Sequence, residues 1–128
     1  MGKVPDKPRK QTQAHSFAVA FASIGRALRS ELHMKVHACV GVLALLACWV
    51  LQVDAVGWCL VVISIGCVIA AELLNTALEA LADKVSPEYD PLIKVAKDAA
   101  AGAVLVLAIM SVVVGLIVFV PAALELLG

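Results

Sequence analysis

Four polar side chains in one short stretch have types and spacing suited to chemistry: Glu72, Asn75, Glu79 and Asp83. Residues of an α-helix advance by about 100°, so these four share an arc of roughly 80° on one helix face. The preceding residues Val68, Ile69, Ala70 and Ala71 are apolar, and Leu73 and Leu74 follow Glu72 directly. A carboxylate in such surroundings is costly unless it is used or paired, so Glu72 marks a functional site. Three carboxylates and an amide in a row suit Mg²⁺, phosphate chemistry and proton transfer. Plainer readings exist for the neighbours: Glu79, Asp83, Lys84 and Glu88 also fit a solvated helix end, and Lys97 fits an interfacial anchor.

The elements that must position this row are membrane helices. The chain has 128 residues, 62% of them hydrophobic, and a mean hydropathy of +1.00. A soluble domain would be nearer half apolar. Three stretches are long enough to cross about 30 Å of hydrocarbon: residues 36–53, residues 55–71 continuing into the acidic row, and residues 99–120. Only Gln52, Val53 and Asp54 separate the first two, with Asp54 placed to cap the next helix, so they form a tight antiparallel hairpin. The predicted spans with their extensions are 36–53, 55–83 and 91–120.

Charge sets the orientation. Net charge is zero, but the ten Lys and Arg are not spread evenly. Lys3, Lys7, Arg9, Lys10, Arg26, Arg29 and Lys35 precede the first span, and Lys84, Lys94 and Lys97 lie between the second and third. With three spans all of them fall on one side, which the positive-inside rule makes cytoplasmic. The amino terminus is then inside and residues 121–128 outside. No signal peptide is expected, because the first apolar stretch starts late and is needed as an anchor.

Residues 1–13 read as a flexible polar tail, and residues 14–128 as a single membrane domain. Over 14–32, Phe17, Phe21, Ile24, Leu28 and Leu32 recur at helical spacing, with Ser16, Arg26, Arg29 and Ser30 elsewhere on the wheel. That pattern suits an amphipathic helix lying in the membrane interface or, alternatively, packed on a partner protein. Ser86 and Asp90 are cap candidates, each followed by a proline suited to a first helical position. The small residues 99–103 allow close helix approach and suggest an oligomer.

Depth then gathers the polar groups. Glu31 lies just before the first span, Glu72, Asn75 and Glu79 descend out of the second, and Lys97 and Asp98 precede the third. All meet in one slab at the cytoplasmic interface, where a lipid headgroup and a water-soluble nucleotide can both arrive. Other chemistry finds little support. Cys39, Cys48, Cys59 and Cys67 sit in predicted spans without ligand-like spacing and read as small buried hydrophobes. His33 and His37 are spaced i, i+4, as in some zinc sites, but no third ligand is apparent. Neither a Gly-x-x-x-x-Gly-Lys-[Ser/Thr] loop nor a Gly-x-Gly-x-x-Gly turn is present, so an ATP site here must be built from carboxylates, Mg²⁺ and a lysine.

The run Ala-Glu-Leu-Leu-Asn-Thr-Ala-Leu-Glu at 71–79, with Asp83, Ser-Pro-Glu-Tyr at 86–89 and Ala-Lys-Asp at 96–98, resembles the bacterial diacylglycerol kinase/undecaprenol kinase family. The resemblance covers roughly residues 16 to 121. Glu31 followed by His37, and Val-Phe-Val-Pro at 118–121, are similar to the undecaprenol kinase branch. The resemblance implies an all-α homotrimer of three-span subunits, each with an amphipathic surface helix, in the bacterial inner membrane. It implies Glu72 as general base toward the lipid hydroxyl, and Glu31 and Glu79 as the carboxylates that hold Mg²⁺ on the ATP phosphates. It places Asn75, Lys97 and Asp98 along those phosphates, Glu88, Tyr89 and Asp90 in a loop that touches the nucleotide, and Asp83 in support. Ala22, Ser23 and Gly25 depart from the family pattern, so no role is carried to the surface helix.

The physics fits these roles. Phosphoryl transfer needs in-line positioning and charge neutralisation. Mg²⁺ prefers few carboxylates plus phosphate oxygens. Lys97 would add a point charge. The expected function is a lipid kinase using MgATP, with undecaprenol as acceptor or, alternatively, diacylglycerol. No nucleic-acid partner is expected. A different class, a small oligomeric transporter with Glu72 as proton or cation site, also uses intramembrane carboxylates, though such a site usually lies near mid-bilayer.

Overall fold

The structure is a computed structural model that describes residue 10 and residues 12–128. The expected tail over residues 1–13 lies outside the described residues except for Lys10, Thr12 and Gln13. Gln13 already belongs to the first helix. Among the described residues the chain is all-helical: α1 Gln13–Ser30, α2 Leu32–Val50, α3 Ala55–Val85 and α4 Pro91–Leu127.

The breaks between helices have local causes. Thr12 caps α1, its side chain accepting from the His15 N–H at 3.3 Å. Helices α1 and α2 are separated by Glu31 alone, extended at φ −110° and ψ 124°. The surface helix expected over 14–32 thus stops at Ser30, and the next helix starts at Leu32 rather than Val36. The Ser30 hydroxyl donates to the Arg26 carbonyl at 2.9 Å, the kind of side-chain competition that unsettles a last turn. The turn from α2 to α3 uses Leu51 as well as the three expected residues, and Gln52 takes the left-handed φ of 52°. Asp54 caps α3 as expected, accepting from the Gly57 N–H at 2.8 Å.

Two expectations need correction. Ser86 does not open a helix. It closes α3, and its hydroxyl donates to the Glu88 carbonyl at 2.9 Å. Asp90 alone starts α4, accepting from the N–H groups of Leu92 and Ile93 with Pro91 in the first turn. In addition, α4 does not stop at residue 120 but carries Pro121 within it to Leu127. A proline forfeits one backbone hydrogen bond, which neighbouring groups in a membrane helix can re-satisfy.

Three of the four helices, α2, α3 and α4, are long and apolar enough to cross a membrane. The 31 residues of α3 measure about 46 Å at ~1.5 Å per residue, well beyond the hydrocarbon core. Helix α3 packs most extensively on α4 and less on α2, while α1 packs on α2. Glycines mark the close approaches. A Cβ on Gly41 would meet Ile65 at 3.1 Å, and one on Gly57 would collide with Val53 and meet Val118 at 3.2 Å. Little else is covered. The buried apolar side chains are Ala27, Met34, Cys48, Val61, Val68 and Ala82, and α4 buries none.

Candidate active site

Glu72 stands 17 residues into α3 from Ala55, about 26 Å along the axis. That distance approaches the ~30 Å of a hydrocarbon core, and Glu79 and Asp83 lie further along the same helix. Glu72 is 3% exposed and is the one buried charged side chain among the described residues. Its ionic neighbour is His33, in the first turn of α2, with Nδ1 3.6 Å from Oε1. That separation exceeds a direct hydrogen bond and suits a longer-range ionic or water-bridged contact.

One turn further toward the end of α3, Asn75 Nδ2 donates to Glu79 Oε1 at 3.3 Å. This contact orients the amide, because the reversed orientation would set two acceptors face to face. Asn75 Oδ1 is then buried without a hydrogen-bond partner. A buried acceptor left unmatched costs about 1–3 kcal/mol. In a polar cluster, such an atom suits a donor or cation brought in by a ligand.

The adjacent Thr76 reaches a different segment. Its hydroxyl donates to Glu31 Oε2 at 2.7 Å, across 45 positions of sequence. That bond ties the α1–α2 break to α3 at the level of Asn75 and Glu79. Glu31–Thr76 and Asn75–Glu79 are thus two neighbouring pairs along α3, with the Glu72–His33 pair about one turn away. Of the predicted residues, Glu31 is joined to α3 through Thr76, Asn75 is bonded to Glu79, and Glu72 faces His33.

Other predicted residues have different partners. Lys97 Nζ lies 2.5 Å from Asp83 Oδ1, joining the start of α4 to the end of α3. Asp98 turns to Lys94 at 2.6 Å. Residues 97 and 98 differ by about 100° around the helix, so the adjacent pair acts as two separate ion pairs. The Asp90 carboxylate is engaged in capping α4, and Glu88 and Tyr89 are exposed. Thr76 and His33 were not assigned a role by sequence reasoning. Glu31 lies too far along the chain for local spacing to reveal the first, and the i, i+4 spacing of His33 with His37 pointed to zinc rather than Glu72.

No group of three or more His, Cys, Asp or Glu side chains that could hold a metal occurs among the described residues. The protein therefore supplies no complete cage. The donor set fits a cation that arrives on phosphate: Glu31 and Glu79 each have one oxygen engaged, and Asn75 Oδ1 is free. Mg²⁺ bound through one or two carboxylates plus substrate phosphates matches that set.

Known proteins match this chain over most of its length. A family model described as prokaryotic diacylglycerol kinase matches residues 18–119. The undecaprenol kinase of Bacillus subtilis (strain 168) is 33% identical over 120 residues, covering 91% of this chain and 98% of the relative. The diacylglycerol kinase of Synechocystis is 37% identical over 113 residues, 88% of this chain and 65% of the relative. The diacylglycerol kinase of Escherichia coli (strain K12) is 41% identical over 68 residues, 53% of this chain and 55% of the relative.

Proposed function

This chain belongs to the prokaryotic diacylglycerol kinase family, a membrane family of lipid kinases, and on that premise we propose that it transfers the γ-phosphate of MgATP to the hydroxyl of undecaprenol. The observation that carries the reading is the position of Glu72. It is buried in α3 one helical turn from the Glu31–Thr76 and Asn75–Glu79 contacts, at the boundary of oil and water. The choice of undecaprenol over diacylglycerol is supported by the Bacillus relative, of which this chain covers 98%.

Each residue then has a task. Glu72 accepts the proton of the lipid hydroxyl as its oxygen attacks the γ-phosphorus and the bond to ADP breaks. Glu31 and Glu79 hold Mg²⁺ on the nucleotide, with Asn75 Oδ1 as a further oxygen beside them. When held there, Mg²⁺ would supply neutralisation of charge on the phosphate oxygens. Lys97 and Asp98 line the phosphates, Asp83 holds Lys97 in place, and Glu88, Tyr89 and Asp90 form the loop near the nucleotide. A cavity of about 370 Å³ runs between α2, α3 and α4, with Val36, His37, Val40, Gly41, Val68 and Gly115 in its lining. Its apolar walls suit part of an isoprenoid chain.

The assembly belongs to the same proposal. The protein is a homotrimer in the bacterial inner membrane, with its amino terminus and active site cytoplasmic and its carboxyl terminus outside. Helix α1 lies in the interface, where the exposed Phe17 and Phe21 enter the lipid and Arg26 and Arg29 meet headgroups.

Purified protein in detergent, given MgATP with undecaprenol or with diacylglycerol, tests the reading. Undecaprenyl phosphate as the preferred product supports it. Phosphatidic acid as the preferred product moves the acceptor to diacylglycerol, and no phospholipid product from either acceptor removes the kinase reading.

A further inference from the structure

We propose that Thr76 is a positioning residue that sets Glu31 for the cation carried by the nucleotide. This rests on the proposed metal role of Glu31. Nothing in the lipid-kinase reading requires a hydroxyl at position 76. The structure supplies the reason.

Hydroxyls on membrane helices ordinarily bond back to their own helix. Ser16, Ser30 and Ser111 all do so, donating to the carbonyls of Thr12, Arg26 and Leu107. Thr76 instead donates across to Glu31 Oε2 at 2.7 Å, a short charge-assisted bond in a part-buried setting. Its β-branched side chain has few rotamers in a helix, so the hydroxyl is aimed at small entropic cost.

Glu31 needs such a guide. It is the single non-helical residue between α1 and α2, so no helix of its own directs its side chain. Its backbone is pinned on both sides, the N–H donating to the Ala27 carbonyl at 3.0 Å and the carbonyl accepting from Lys35 at 3.1 Å. The Thr76 bond adds the third anchor and fixes the carboxylate itself. Thr76 also sits beside Asn75, which donates to Glu79. Two successive α3 side chains therefore each engage one of the two carboxylates. Hydrogen-bond partners of metal-ligating groups commonly control metal affinity by about 10–100-fold.

The test uses detergent-solubilised full-length protein and a Mn²⁺ complex of a nonhydrolysable ATP analogue, with binding followed by electron paramagnetic resonance. Thr76→Val is expected to weaken binding about tenfold or more, while Thr76→Ser, which keeps the hydroxyl, stays within about threefold. Glu31→Gln is expected to weaken binding at least as much. Adding Thr76→Val to Glu31→Gln should then cost less than about twofold more, because the two act through one interaction. In turnover, Thr76→Val should raise the Mg²⁺ concentration needed for half-maximal rate and recover toward the wild-type rate at high Mg²⁺. Thr76→Ala provides the same comparison should the valine variant fail to fold.

Unchanged binding in Thr76→Val beside weakened binding in Glu31→Gln overturns the inference and leaves the role of Glu31 standing. A Thr76→Ser loss as large as that of valine overturns it too, since shape and not the hydroxyl would matter. Equal Thr76→Val losses with and without Glu31→Gln place the action elsewhere. No effect from Glu31→Gln removes the metal role of Glu31, and the inference with it.

Discussion

Glu72 is buried in α3, where a carboxylate is costly to keep. Among the described residues only His33 approaches it as an ionic partner, and at 3.6 Å it leaves the carboxylate without a strong direct bond. A proton acceptor with that freedom is suited to take the proton of an alcohol arriving from the bilayer. Glu72→Gln is expected to lower kcat by about 10² or more while leaving the helical content unchanged by circular dichroism. Activity within about threefold of wild type would take the base role from Glu72. Lys97 stands apart from Glu72, paired with Asp83. Lys97→Met should lower the rate by about 10²-fold through lost charge stabilisation on the phosphates. Identical ATP kinetics in that variant would separate Lys97 from the nucleotide.

Helices do the positioning, and their ends carry much of the precision. Asp54 closes the α2–α3 hairpin by capping α3, and Asp90 does the same for α4. Asp54→Ala should cost about 1 kcal/mol of stability, read as a lower Tm in detergent with kcat retained. An unchanged Tm would mean that the hairpin turn is held by Gln52 and Val53 instead. Gly57 lies in the same corner, where an added Cβ would press on Val53 and approach Val118. Gly57→Leu is expected to push α3 and α4 apart near the start of α3, at a cost of about 1–3 kcal/mol. Because this corner lies 15 residues, about 22 Å, from Glu72 along α3, the loss should appear in thermal stability before it appears in KM.

A single copy of this chain leaves most of its apolar surface open. Phe21, Trp49, Leu92, Val112 and Ile117 are all exposed, and α4 buries no residue. Lipid tails and neighbouring copies are the two available covers. The proposed trimer predicts that chemical crosslinking in native membranes yields a ladder ending at three copies, and a ladder ending at two would refute it. The distribution of Lys and Arg makes a matching prediction for orientation. In a variant freed of its native cysteines, Ser86→Cys should react with a membrane-impermeant maleimide only after the cells are opened. A cysteine placed at Gly128 should react in intact spheroplasts. The reverse pattern would invert the topology.

Several of these features follow from local sequence alone. The three spans were legible because a run of Val, Leu, Ile and Ala has no other stable setting, and the Asp54 and Asp90 caps because capping is a matter of neighbouring residues. The row from Glu72 to Glu79 was legible because helical period alone aligns it. Other features depended on where separate segments meet. The one-residue break at Glu31, the continuation of α4 through Pro121 and the separation of Lys97 from Asp98 turned on packing and partner choice, which local spacing does not encode. The Thr76–Glu31 bond joins residues 45 positions apart, so only the folded chain decides that one hydroxyl turns from its own helix to hold a carboxylate on another segment.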